Sequence, residues 1–223
     1  MFIDAHTHRP SDFTHIRVNV HTLAIHPWDL PADFKREVFL SEWEKLKKET
    51  TGIVAIGECG LDRVREGIAG IADQVFVLEQ HFELARVLDL PIILHTVRAY
   101  SDLLHILKIQ KFKNSIMLHA YGGNEQEMHE LLKYPVYFTF GKRLFNSDKM
   151  LTHIPKDKLL LETGDQSEFS IEEIYIKAAE SLGMKVFDLE AQLEKNFLAF
   201  FGKQDDVSAA DFIKNLNLRK ASR

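Results

Sequence analysis

The sequence predicts an α/β fold in which parallel strands alternate with helices around a barrel. Three observations carry that expectation. Short apolar, β-branched runs alternate with longer stretches of helical period. Several of the runs are apolar at successive positions, as strands covered on both faces are. Polar residues interrupt the pattern at one recurrent place, the strand end, and in a parallel barrel all those ends open on the face that carries the chemistry.

Phe2 to Ala5 reads as the first strand and is followed by His6 and His8; Ile16 to Ile25 is the second and is followed by His26. Ile53 to Ile56 runs into Glu58, Pro91 to Leu94 into His95, and Ser115 to Leu118 into His119. Val136 to Phe140 and Leu159 to Leu161 complete the set, the last leading into Glu162 to Asp165. Between them, Leu40 to Glu49 places Trp43 and Leu46 on one side, and Gln74 to Leu90 presents Val75, Phe76, Leu78, Phe82, Ala85 and Leu88 as an inward stripe. Further helices are expected over Tyr100 to Ile109, Glu125 to Leu132, Ile171 to Leu182 and Leu189 to Phe201, with Ser170 and Glu173 as a capping box. Asp62 to Asp73 reads as a loop. No linker or repeat divides the chain, so 1–202 is expected to be one barrel domain, and 203–223 a polar, basic tail that is not a separate domain.

A chain of 223 residues with 45% hydrophobic and 27% charged residues has material for a substantial core, which excludes disordered and fibrous classes. No apolar run approaches the roughly 20 residues of a membrane span, and MFIDAHTH lacks the features of a signal peptide. With the single Cys59 this points to a cytoplasmic protein without a membrane partner. The net charge of −5 argues against general coating of nucleic acid.

Histidine is the unusual component, at 11 residues. His6 and His8 are two apart on a strand, so both imidazoles can face one ion. Glu58 ends an apolar strand between glycines, where a carboxylate can bridge two cations or form a buried ion pair. With His95 and His119 these residues make a centre of mixed His and carboxylate ligands the leading expectation, and two divalent ions its leading form. His81, His105 and His129 lie in helices and are read as structural. His26 is read as lining the pocket. Trp28, Tyr121 and Phe145 either stack on a base or sugar at the mouth or simply pack.

His6-Thr7-His8, Ile25-His26-Pro27, Ala55 to Asp62 (AIGECGLD), Leu90-Pro91 through His95, His119 with Gly122, Leu161-Glu162-Thr163, and Asn196-Phe197 followed by Phe200-Phe201-Gly202 together resemble the TatD family of metal-dependent hydrolases. The resemblance spans Met1 to Gly202. It implies a TIM-type (β/α) barrel and a two-metal deoxyribonuclease acting on DNA or a small phosphodiester, with zinc, manganese or magnesium as the ions. It also implies that His6 and His8 bind the first metal, Glu58 bridges, and His95 and His119 bind the second. The family's last ligand is an Asp directly after Glu-Thr, where this chain has Gly164, with Asp165 next. Either Asp165 slips into place as ligand and proton acceptor, or the ligand is lost. Trp28 stands where the family has a histidine, and Arg98, with His26, is expected near the substrate phosphate.

The span from His8 to His26 is too short for a helix and two strands, and 223 residues is short for a barrel that typically needs about 250. The barrel is therefore expected either to lack one βα unit near the N-terminus or to bend Ile16 to Ile25 into the work of two strands. A gap there would widen the pocket or call for a second copy of the chain to cover it. Two other readings stand beside the nuclease: a hydrolase of a small amide or phosphate ester, and a degenerate member that binds metal or nucleotide without turnover.

Overall fold

The computed structural model describes residues 1–165, 168–202 and 208–221. Among these, eight parallel strands form the wall of a barrel: β1 (Ile3–Thr7), β2 (Thr14–Arg17), β3 (Thr22–Leu23), β4 (Ala55–Asp62), β5 (Ile92–Val97), β6 (Ile116–His119), β7 (Val136–Phe140) and β8 (Leu159–Leu161). β3 to β8 make one sheet in sequence order, and β1 pairs with β2 in another. The ring is joined at β8 and β1, where His8 N donates to Gly164 O and Gly164 N donates to His6 O, each at 2.9 Å.

The segment expected as one strand, 16–25, is divided: β2 ends at Arg17, a turn follows, and β3 begins at Thr22. No ladder joins β2 to β3 among the described residues, so the barrel has a seam there. The strand count is thus not reduced, which corrects the expectation of a missing βα unit in favour of its alternative. What is shortened is the helical layer, because no helix follows β1 or β2 among the described residues. α1 (Arg36–Leu46) follows β3, α2 (Ile71–Val87) follows β4, α3 (Tyr100–Gln110) follows β5 and α4 (Glu125–Leu131) follows β6. Short 3-10 turns follow β7, and α5 (Ile171–Leu182), α6 (Val186–Phe200) and α7 (Ala209–Ala221) follow β8. Ser170 and Glu173 form the expected capping box of α5, and Asn124 and Glu127 form another on α4.

Side chains two apart on a strand share a face. Ile93, Met117, Tyr137 and Leu160 therefore point inward and pack with Ile3, Ile16 and Ala55. That cluster continues into Phe197, Phe200 and Phe201 at the end of α6 and Phe212 and Ile213 of α7, an apolar floor beneath the polar strand ends. Ile92, Leu94, Leu118, Phe138 and Leu161 face outward against α2 to α5. His95, His119 and Glu162 each lie two residues beyond an inward apolar residue, which is why the polar strand ends converge above the floor. No helix among the described residues is long and apolar enough to cross a membrane.

Candidate metal centre

Glu58 lies at the centre of the strand ends, 4% exposed, and its two oxygens face different histidines. Oε2 is 3.1 Å from His6 Nε2 and 3.2 Å from His8 Nε2. Oε1 is 3.0 Å from His95 Nδ1, 3.2 Å from His26 Nε2 and 3.9 Å from His119 Nε2. Three groups are compact enough to hold an ion: His6 with His8 and Glu58, His6 with His119 and Glu162, and His26 with Glu58 and His95. Burial favours a neutral Glu58 carboxyl, but the charge of His119, a hydrogen bond from His26 and the adjacent His6 imidazole outweigh it and hold its pKa well below the usual range.

Fixed hydrogen bonds decide which nitrogen each imidazole presents. His95 Nε2 lies 3.1 Å from Asp62 Oδ2. Burial raises the Asp62 pKa, yet bonds from the Trp28 indole, the Arg65 and Val64 amides and His95 bring it down to about 2. Ionised Asp62 accepts the hydrogen bond from His95 Nε2–H, which leaves the Nδ1 lone pair of His95 aimed at Glu58, as a carboxylate orients an imidazole that can hold a metal. Glu162 forms an ion pair with His119, 2.7 Å from its Nδ1 but outside hydrogen-bond geometry, and is itself held by Thr139 Oγ1 at 2.6 Å and the Ala120 amide at 2.9 Å. Burial opposes charge on His119, but Glu162 and Glu58 raise its pKa to about 9. Burial and the charge of His119 push His6 down, so its lone pair is available. Although His6 is fully buried, neither of its ring nitrogens makes a hydrogen bond. A buried polar group without a partner is costly, and a cation between His6, His8 and Glu58 satisfies it. The donor set therefore fits divalent metal.

His26 differs. Its Nδ1 accepts from the Trp28 amide at 3.1 Å, which places the proton of the neutral ring on Nε2, facing Glu58. The tautomer makes His26 a hydrogen-bond donor toward the centre, although its position alone would suit a ligand.

Asp165 is exposed at the cavity lip and outside all three compact groups, although its charge reaches His119. The inward direction belongs to position 164: Gly164 has φ +62°, and a Cβ built there would lie 3.1 Å from His119 Cε1. Asp165 joins none of the compact groups, and the carboxylate buried beside His6 and His119 is Glu162. Arg98, Lys142 and Arg143 line the cavity of about 780 Å³, and none of the three forms an ion pair among the described residues. The Arg143 guanidinium lies where a side chain at Gly122 would begin, 1.9 Å from a Cβ built there. Trp28 is 44% exposed in the cavity, whereas Tyr121 is buried against Tyr100 and Phe138, and Phe145 stacks on Phe169.

Sequence reasoning gave no role to Asp62 or Glu162. Period-2 alternation marks both: Asp62 lies four residues from Glu58 along β4, and Glu162 two beyond inward Leu160.

A family model described as TatD related DNase matches residues 14–202. The chain belongs to that family. Among curated TatD relatives, a "3'-5' ssDNA/RNA exonuclease TatD" of Cronobacter turicensis is 35% identical over 119 residues, 50% of this chain and 44% of that protein. An "Uncharacterized metal-dependent hydrolase" of Buchnera aphidicola is 29% identical over 147 residues, 62% of this chain and 53% of that protein. This TatD-family chain spans about half the length of the curated relatives it matches. A TatD homologue from Escherichia coli K12 superposes with a TM-score of 0.69 at 21% identity, covering 82% of this chain and 76% of the other. A TatD-family hydrolase from Entamoeba histolytica gives 0.64 at 19% identity, covering 74% and 69%. These two likenesses show the barrel fold.

Proposed function

We propose that this TatD-family chain is a metal-dependent hydrolase of phosphodiester bonds in single-stranded nucleic acid or a small phosphodiester. The observation that carries this reading is the division of Glu58, with one oxygen toward His6 and His8 and the other toward His95 and His119. A first ion would be held by the compact group of His6 Nε2, His8 Nε2 and Glu58, and a second would be held by Glu58 and His95 Nδ1 with His119 Nε2, which stands 3.9 Å from Glu58 Oε1 and outside that compact group. When bound, divalent cations supply positive charge to a phosphoryl oxygen and acidify water. Arg98, Lys142 and Arg143 bring three uncompensated charges to the cavity, where they hold the phosphates flanking the scissile bond. His26 donates its Nε2 proton in hydrogen bonds toward the same place. Asp165, at the lip, is the carboxylate to which we assign the departing proton. The names carried by the exonuclease relatives agree in substrate class.

The test loads chelator-stripped protein with zinc, manganese or magnesium, counts bound metal, and presents a labelled single-stranded oligonucleotide beside an aryl amide. The expected result is up to two ions per chain and cleavage of the oligonucleotide alone. Metal-saturated protein that leaves the oligonucleotide intact, or that cleaves the amide instead, overturns the proposal.

A further inference from the structure

Trp28 is the large apolar side chain at the cavity mouth that the metal centre does not use. Of the two tryptophans, Trp43 is buried in the core at 2% exposure, whereas Trp28 is 44% exposed and lines the cavity. An exposed indole at a rim is usually loosely held, but this one is fixed by four residues. Its Nε1 donates to Asp62 Oδ2 at 2.8 Å, the same oxygen that faces His95 Nε2. Its ring meets His26 edge to face at 5.1 Å and His95 at 5.4 Å. The Arg65 guanidinium sits 4.7 Å over the ring, a cation against its π face. Arg65 does not line the cavity. The indole is therefore a rigid plate, covered by a cation, presented to the cavity one ring away from the imidazoles that face Glu58 Oε1.

We propose that Trp28 is the platform on which the nucleobase next to the scissile phosphate stacks, so that the enzyme selects unpaired nucleotides over bare phosphodiesters. This deepens the reading of the site as a phosphodiesterase and rests on it. Base stacking on an aromatic side chain tolerates any base but requires that its face be free, which a duplex does not offer. The uncompensated cations Arg98, Lys142 and Arg143 would hold the backbone, leaving Trp28 to hold the base. The bond to Asp62 means the plate is already oriented before the base arrives, so little ordering is needed on binding.

Two variants separate the ring from its hydrogen bond. Trp28→Phe keeps an aromatic face and loses the donor to Asp62; Trp28→Gln keeps a donor and loses the face. The substrates are an oligodeoxyadenylate and the same strand with abasic residues at its terminal nucleotides. In the wild type the KM for the abasic strand is expected to exceed that for the base-bearing strand by about tenfold. That ratio should persist in Trp28→Phe and collapse toward one in Trp28→Gln. A ratio of one in the wild type, or an unchanged ratio in Trp28→Gln, overturns the inference. A second readout needs no turnover: in chelator-stripped Trp43→Phe protein, deoxyadenosine 5′-monophosphate should quench the Trp28 emission while deoxyribose 5-phosphate should not, and equal effects of the two count against stacking. If both strands are cleaved with equal KM, the platform fails and the phosphodiesterase reading stands. If neither strand is cleaved but the nucleotide alone quenches, the platform stands and the hydrolase reading fails.

Discussion

Replacing His81 with leucine tests whether a histidine outside the candidate metal centre holds the segment between β3 and His26. His81 is fully buried on α2, donates from Nδ1 to Val77 O at 2.8 Å, and accepts the Ile25 amide at Nε2 at 3.0 Å. The bond from the Ile25 amide needs the neutral ring, and burial, opposed by the Val77 bond, lowers its pKa from 6.5 to about 4. A histidine depressed in the folded state binds its proton more readily when unfolded, so its stabilisation is complete above pH 6.5 and is lost as pH falls toward 4. At about 1.4 kcal/mol per pH unit the full loss is roughly 3 kcal/mol, of which about 2 kcal/mol is gone at pH 5. The leucine variant strands the Ile25 amide, which costs about 1 to 3 kcal/mol at neutral pH, but it removes the titration. Urea unfolding of chelator-stripped protein should therefore show the variant less stable at pH 7.5, with its deficit shrinking by about 2 kcal/mol at pH 5. Parallel stability curves for the two proteins between those pH values would refute the assignment of this proton to His81.

Three further outcomes follow from the metal centre. Asp62→Asn removes the charge that holds the His95 Nε2 proton, and metal affinity should fall about 10- to 100-fold by chelator competition. Gly164→Asp sets a carboxylate beside His119 at a backbone φ of +62°; it should tighten metal binding in the same assay while lowering the stability of the stripped protein by about 1 kcal/mol. With His119 protonated below about pH 9, metal binding at pH 7.5 should release close to one proton per chain from that ring, read by calorimetry in buffers of different ionisation enthalpy.

The strand ends were legible because their chemistry interrupts apolar runs: His6, His8, Glu58, His95 and His119 all converge as the strand pattern implies. Side-chain parity within the ends was also available, and it brings Glu162 and Asp62 inward. Two things were beyond local pattern. The turn that divides 16–25 depends on backbone bonds such as His21 N to Arg17 O, in a stretch whose apolar content reads as one strand. The departure of Asp165 depends on the backbone bridge between Gly164 and β1, a contact between opposite ends of the chain.

His21 and His81, read from the sequence as structural, and His26, read as lining the pocket, lie where the barrel is thinnest. β3 is two residues long and has no ladder toward β2, so the backbone amides around it must find acceptors elsewhere. Imidazoles supply them: His21 Nδ1 accepts from Arg17 N at 3.0 Å, His81 Nε2 from Ile25 N, and His26 Nδ1 from Trp28 N. Each such bond also fixes a tautomer, and at His26 that turns a structural repair into a functional assignment, because the remaining proton then faces Glu58. The seam and the site are therefore coupled. The absence of helices after β1 and β2 among the described residues leaves the polar strand ends in place and shifts the work of holding β3 onto imidazole side chains. A barrel shortened in this way should yield to acid at the segment after β3, where the His81 ring that accepts the Ile25 amide has its pKa lowered to about 4.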